Sequence, residues 1–198
     1  EALSKAVKLD SSLGDAWNQL GLSFWKKGDV STAHDCWQST LVHSSSLEDV
    51  KNAMRELSMV YRVKGGDPTE SLRIAKDLIA RDMGDEKSWS NLGNAYMSFF
   101  FASSLDRDDL LRALKAYTRS QACGESSDPD LHYNKATVFR YLEDYQNAIG
   151  ELQRAAALDP HLQAADSVRQ IEELVGEMEG MMRRRCNLQA HRLDNMLL

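Results

Sequence analysis

Trp17-x-x-Leu20-Gly21-x-x-Phe24, with Ala33 and Trp37 after it, is the stretch whose reading decides the fold. An aromatic residue, a leucine-glycine pair and a second aromatic fall at helical spacing, so they share one face of a helix. The small and large residues that follow answer them on a second helix. Small side chains let two antiparallel helices approach closely, and large ones fill the space between neighbouring pairs. The phrase returns 72 positions later as Trp89-x-x-Leu92-Gly93-x-x-Tyr96, about two periods of a 34-residue repeat plus a short insertion.

A weaker copy lies between the two. Met54, Leu57, Ser58 and Tyr61 stand for its first helix, and Ser71, Ala75 and Leu78 for its second. A fourth copy ends with Ala148, Leu152, Ala155 and Leu158-Asp159-Pro160, but carries His132, Lys135 and Ala136 where an aromatic and Leu-Gly would stand. Ahead of Trp17, Ala6 and Leu9-Asp10 read as the second helix of a partial copy. This spacing resembles the tetratricopeptide repeat. The expected fold is therefore all-α, a right-handed superhelical solenoid with a C-terminal capping helix.

Start signals fit that parse. Asp67-Pro68, Asp128-Pro129 and Asp159-Pro160 each set a capping carboxylate before a proline at the first helical position, predicting helices from 68, 129 and 160. The third copy is stretched by Phe99-Phe100-Phe101 and the polar run Ser103 to Asp109, read as a lengthened helix in preference to an exposed docking knob. Beyond Pro160, Val168, Ile171, Leu174, Val175, Met178, Met181 and Met182 form one apolar stripe, expected to cover the end of the array. The domain reading is an array over 1–160 with a partial first repeat and about four helix pairs, a capping helix over 161–185 and a linker over 186–198.

Composition narrows the function. The chain has 198 residues, 42% hydrophobic and 27% charged, with only 3 prolines and 11 glycines, which suits a packed helical protein better than a sandwich or barrel. Its net charge of −6 argues against a surface that coats nucleic acid along its length. No apolar run approaches the roughly 20 residues of a membrane span, and no signal segment opens the chain. Glu1-Ala2-Leu3 already reads as helix interior, as in a piece of a longer protein. Cys36, Cys123 and Cys186 show no CxxC spacing, which fits a reducing compartment. His34, His43, His132, His161 and His191 are scattered, with no HExxH, no GxSxG and no phosphate-cradling loop. No enzyme, metal or cofactor is expected.

What such an array offers is a groove lined by its first helices. Counting along each helix gives Asp15, Asn18, Leu22, Trp25 and Lys26 in the first full copy, and Asn52, Arg55, Met59, Arg62 and Val63 in the second. The third supplies Lys87, Ser90, Asn94, Met97 and Ser98, and the fourth Asp130, Tyr133, Thr137, Arg140 and Tyr141. This lining suits an extended peptide. Asn18 and Asn94 are candidates for its backbone, Arg62 for an acidic side chain and Asp130 for a basic one. A chaperone-type clamp for an acidic C-terminus would want Lys and Asn where Asn18 and Leu22 stand.

More specific phrases carry a closer likeness. Ala16-Trp17-Asn18-Gln19-Leu20-Gly21, Trp25-Lys26-Lys27-Gly28-Asp29, Leu57-Ser58-Met59-Val60 with Arg62, Pro129-Asp130-Leu131-His132 and Ala155-Ala156-Ala157-Leu158-Asp159-Pro160 resemble the Strap family of adaptors. The resemblance implies a cytoplasmic and nuclear protein that binds the N-terminal peptide of nascent α- and β-tubulin, Met-Arg-Glu followed by Ile or Cys, on the translating ribosome. It implies recruitment of a further mRNA-decay adaptor, so that excess tubulin triggers decay of its own mRNA. By the same likeness Arg62 and Asp130 are the peptide-reading pair, Lys5 and Lys8 contact the ribosome, and an OB-fold domain follows the linker. A nuclear scaffold for acetyltransferase and stress-response transcription factors is the alternative it implies.

Overall fold

The structure, a computed structural model, describes residues 2–63, 65–124 and 127–194, with side chains up to residue 185. The described residues fall into helices joined by short turns, and the chain divides into two compact units, 1–126 and 127–198.

The first unit holds α1 (Ala2–Leu9), α2 (Gly14–Lys26), α3 (Val30–His43), α4 (Leu47–Val60), α5 (Pro68–Arg81), α6 (Glu86–Phe99) and α7 (Arg107–Cys123). The second holds α8 (Pro129–Tyr141), α9 (Tyr145–Leu158) and α10 (Ala164–Asp194). Part of the acidic excess goes into helix starts. Asp29, Asp67, Asp85, Asp106, Asp128 and Asp144 each accept a hydrogen bond from a first-turn backbone N–H.

The repeat phrase works as close packing. A Cβ on Gly21 would sit 2.6 Å from the Trp37 indole, and one on Gly93 2.5 Å from the Tyr117 ring, so glycine lets each first helix rest on the large side chain of its partner. Where the second copy has Ser58, the same closeness becomes polar: Ser58 Oγ lies 3.0 Å from Ser71 Oγ, and Ser71 donates to the Ser58 carbonyl at 2.9 Å. Trp37, Ala53, Met54, Leu57, Ile74 and Leu78 form one core. Leu72, Ala75, Leu92, Ala95 and Ala116 form the next.

Three places depart from expectation. The phenylalanine run does not simply lengthen α6: Phe100–Ser104 is a turn of π-helix that ends at left-handed Leu105. Helix α10 does not start at Pro160. Asp159 caps a short 3-10 turn over Pro160–Leu162, and left-handed Gln163 separates that turn from Ala164. α10 then runs on to Asp194, past the expected end at 185, through a stretch with no proline and no glycine after Gly180. Residues 195–198 of the expected linker lie outside the described residues.

Capping by α10 is partial. Ala164, Val168 and Ile171 are buried against Ala136, Ala148, Leu152 and Ala155, whereas Met178, Met181 and Met182 are exposed. Length explains this: the 14 residues of α9 extend roughly 21 Å and the 31 of α10 roughly 46 Å.

Candidate functional site

Arg62 stands just past the end of α4, and its surroundings are unusual for a guanidinium. It is half-buried, and desolvation pulls its pKa down to about 10, against the smaller opposing pull of Tyr117 and Glu56. Its Nη1 donates to Ser58 Oγ at 2.9 Å and to Asn91 Oδ1 at 3.5 Å. No carboxylate comes within ion-pair distance among the described residues. A desolvated cation whose hydrogen-bond partners are neutral is costly unless a counter-ion arrives. Arg55, two turns earlier, is the opposite case: Asp85 at 2.7 Å and Glu48 at 3.1 Å hold it. Both are expected in the groove, and only Arg62 is open to an acidic ligand.

The sequence reading uses Ser58 as a repeat position but names neither it nor Asn91 as a site residue. Ser58 precedes Arg62 by one helical turn, a signal that spacing carries. Asn91 comes from α6, and its Nδ2 donates to the Arg55 carbonyl at 3.2 Å, which fixes the amide oxygen toward Arg62.

Asp130 lies in the first turn of α8 and is exposed. Partial burial raises its carboxyl pKa, and the nearby charges of Asp128 and Asp159 raise it further. No cation pairs with it among the described residues. Like charges this close disfavour an ionised Asp130, and a basic group beside it would relieve that cost.

The two asparagines are already engaged. Asn18 is 5% exposed. Its Nδ2 donates to the Asp49 carbonyl at 3.0 Å and its Oδ1 accepts from Thr40 at 3.1 Å, so it ties α2 to α3 and α4 and does not present an amide to a peptide. Asn94 accepts the Tyr117 hydroxyl at 2.7 Å. In the second unit Tyr133 and Arg140 do come together, with Thr137, Tyr141 and Tyr145, around an open depression of about 470 Å³ bordered by α10. Lys5 and Lys8 are both exposed, one turn apart on α1.

The comparisons with known proteins agree with this architecture. The tetratricopeptide repeat family matches at residues 129–162. The human protein named Tetratricopeptide repeat protein 5 is 36% identical over 208 residues, which cover 100% of this chain and 46% of that protein. The chain has the all-α tetratricopeptide-repeat fold and is similar along its length to Tetratricopeptide repeat protein 5. It spans less than half the length of that relative. Among solved structures, a thermophilic tetratricopeptide-repeat protein of Thermus thermophilus superposes with a TM-score of 0.69 at 19% identity, over 84% of each chain. YrrB, described as having an unusual peptide-binding site, gives 0.57 at 20% identity over 85% of this chain and 80% of its own.

The repeat that the family matches is the one whose first helix departs from the consensus. His132 and Lys135 replace the aromatic and leucine because Glu151 of α9 lies buried between them. His132 Nδ1 lies 2.6 Å from one carboxylate oxygen, and Lys135 Nζ donates to the other at 2.8 Å. Burial alone would raise the Glu151 pKa, but the hydrogen bonds from Lys135 and His132, with their charges, bring it below the usual glutamate value. This tetratricopeptide repeat has exchanged an apolar contact for an ionic one. Among the described residues no group of His, Cys, Asp and Glu could hold a metal, and no helix is long and apolar enough to cross a membrane.

Proposed function

We propose that this chain is a non-enzymatic adaptor that binds the N-terminal Met-Arg-Glu-Ile/Cys peptide of nascent tubulin and so couples tubulin translation to decay of tubulin mRNA. The observation that carries the reading is Arg62, a half-buried guanidinium whose hydrogen bonds among the described residues go to the neutral Ser58 and Asn91. It calls for an acidic ligand group, and Asp130, set among Asp128 and Asp159, calls for a basic one. A peptide with adjacent arginine and glutamate supplies both: Asp130 takes the arginine, Arg62 the glutamate. The likeness to Tetratricopeptide repeat protein 5 and the repeat fold support a peptide-binding adaptor. Tyr133 and Arg140, around their depression, are further contacts for the residues that follow. Lys5 and Lys8, exposed on one face of α1, would meet ribosomal RNA phosphate. Recruitment of the decay machinery in the cytoplasm, and any nuclear role, are parts of the same proposal, for a chain that spans less than half the length of its relative.

The test is calorimetric titration of the chain with a Met-Arg-Glu-Ile peptide carrying a free N-terminus, beside a peptide with arginine and glutamate exchanged. The first should bind and the second should not. Equal affinity for the two peptides would refute charge reading by Arg62 and Asp130.

A further inference from the structure

We propose a second docking surface, independent of Arg62 and Asp130: the groove between α5 and α7, floored by α6, takes an acidic amphipathic helix of a partner protein. Two adjoining depressions, about 350 and 570 Å³, share Tyr96 and Arg112 in their lining. Trp89, Leu92 and Tyr96 line the floor at successive turns of α6. The repeat fold makes this floor, because the first helix of a pair lies beneath two neighbouring second helices.

The rim is basic. Arg112, Lys115 and Arg119 stand along α7, with Arg73 and Lys76 on α5. Two of these are internally compensated: Arg73 by Glu70 and Asp77, and Arg112 by Asp109 at 2.7 Å. Lys115 and Arg119 are exposed and meet no carboxylate among the described residues. Neither does Lys76, whose ammonium lies 5.6 Å from the centre of the Tyr96 ring. Three uncompensated cations around an apolar floor, in a chain of net charge −6, make a local field that selects an anionic occupant.

Spacing decides which anion. Arg112, Lys115 and Arg119 span seven residues of helix, roughly 10 Å, and Trp89 to Tyr96 span the same. A ligand helix has that rise too, so apolar side chains on one stripe can seat along the floor while carboxylates on its flanks face Lys115 and Arg119 on one side and Lys76 on the other. Single-stranded nucleic acid fits less well. It needs open aromatic faces for base stacking, but the Tyr96 ring already carries Lys76, the half-buried Trp89 donates its indole N–H to the Met83 carbonyl at 2.9 Å, and Leu92 between them has no π-face.

The test is fluorescence anisotropy of the intact chain with a labelled synthetic helix of about 15 residues, leucine on one stripe and glutamate on both flanks. Controls are the same peptide with lysine for glutamate, a scrambled peptide without the stripe, and oligouridine. Saturable binding of the acidic helix alone is expected, weakened roughly tenfold or more in K115E/R119E and also weakened in K76E, with unchanged circular dichroism. Three results would overturn the proposal: no saturable binding of the acidic helix, equal affinity in K115E/R119E, or oligouridine or the lysine peptide binding as tightly. Peptide capture by Arg62 and Asp130 is read separately, by the Met-Arg-Glu-Ile titration, which K115E/R119E leaves unchanged.

Discussion

Asn91 stands between Arg55 and Arg62, its Nδ2 donating to the Arg55 carbonyl at 3.2 Å and its Oδ1 3.5 Å from the Arg62 guanidinium. The two arginines it joins differ in charge balance. Arg55 is neutralised by Asp85 and Glu48, whereas the half-buried Arg62 hydrogen-bonds to neutral oxygens and feels Glu56 only through space, with no ion pair among the described residues. A fold selected for stability alone would place an acid beside Arg62 or dispense with its charge. The uncompensated cation fits a position kept ready for a ligand carboxylate.

Replacing that charge should therefore separate stability from binding. R62M removes a desolvated cation and keeps an apolar stem of similar length, so the chain should gain roughly 1 kcal/mol, seen as a higher urea midpoint. Binding of Met-Arg-Glu-Ile should fall about 30-fold or more, since truncating a buried charge partner costs roughly 2 to 5 kcal/mol. Lost stability together with retained binding would contradict the reading of Arg62.

The acid side predicts a pH profile. Partial burial and the charges of Asp128 and Asp159 hold the Asp130 carboxyl above its ordinary range, so it takes up a proton earlier on acidification and loses its hold on the ligand arginine. Peptide affinity should fall as pH drops through that raised pKa. D128S keeps a capping oxygen at the start of α8 but removes one neighbouring charge, and should move the acid midpoint of binding to lower pH. D130K should abolish binding at every pH while leaving helix content intact. Titrations across a pH series check all three.

The repeats are legible in the sequence because they are local. Glycine and aromatic spacing within one helix pair records how closely its two helices approach, and Gly21 against Trp37 and Gly93 against Tyr117 realise that record. What escapes the sequence depends on partners from other helices. Counting puts Asn18 and Arg55 in the groove lining, but the Asp49 carbonyl engages the first and Asp85 the second, each about thirty positions away. The odd residues of the fourth repeat look like decay of the consensus until Glu151 supplies their reason. The end of α10 is hidden for another cause: the stretch after Arg185 leaves the apolar stripe and reads as linker, although nothing in it up to Asp194 breaks a helix.

That buried triad gives a third prediction. Removing Glu151 leaves Lys135 and His132 without their shared carboxylate in the core of the second unit, so E151A should cost about 3 to 5 kcal/mol. The folded Glu151 pKa lies below the unfolded value, so its contribution is fully present above the unfolded pKa and disappears as pH falls through the folded one. Urea midpoints of the native chain should drop over that acid window, and those of E151Q should drop less. The triple change H132F/K135L/E151L, which restores an apolar contact, should regain most of the loss.

Two glycines give opposite signs for the same substitution. Gly150 lies inside α9, and a Cβ there meets nothing within 4 Å. G150A gains helix propensity without a clash, by about 0.5 to 1 kcal/mol. Gly93 lies inside α6, where the same Cβ would stand 2.5 Å from the fully buried Tyr117 ring. The ring cannot withdraw freely, because its hydroxyl is bonded to Asn94 at 2.7 Å and the whole side chain is buried. Overpacking of this kind costs roughly 1 to 3 kcal/mol, more than the propensity gain. On a chain of this length each kcal/mol moves the melting temperature by about 2 to 4 °C, so calorimetry should show G150A melting above the native chain and G93A below it. A rise in both would mean that the glycine in Leu92-Gly93 is a matter of helix propensity alone, and that close approach of the paired helices does not set the repeat phrase.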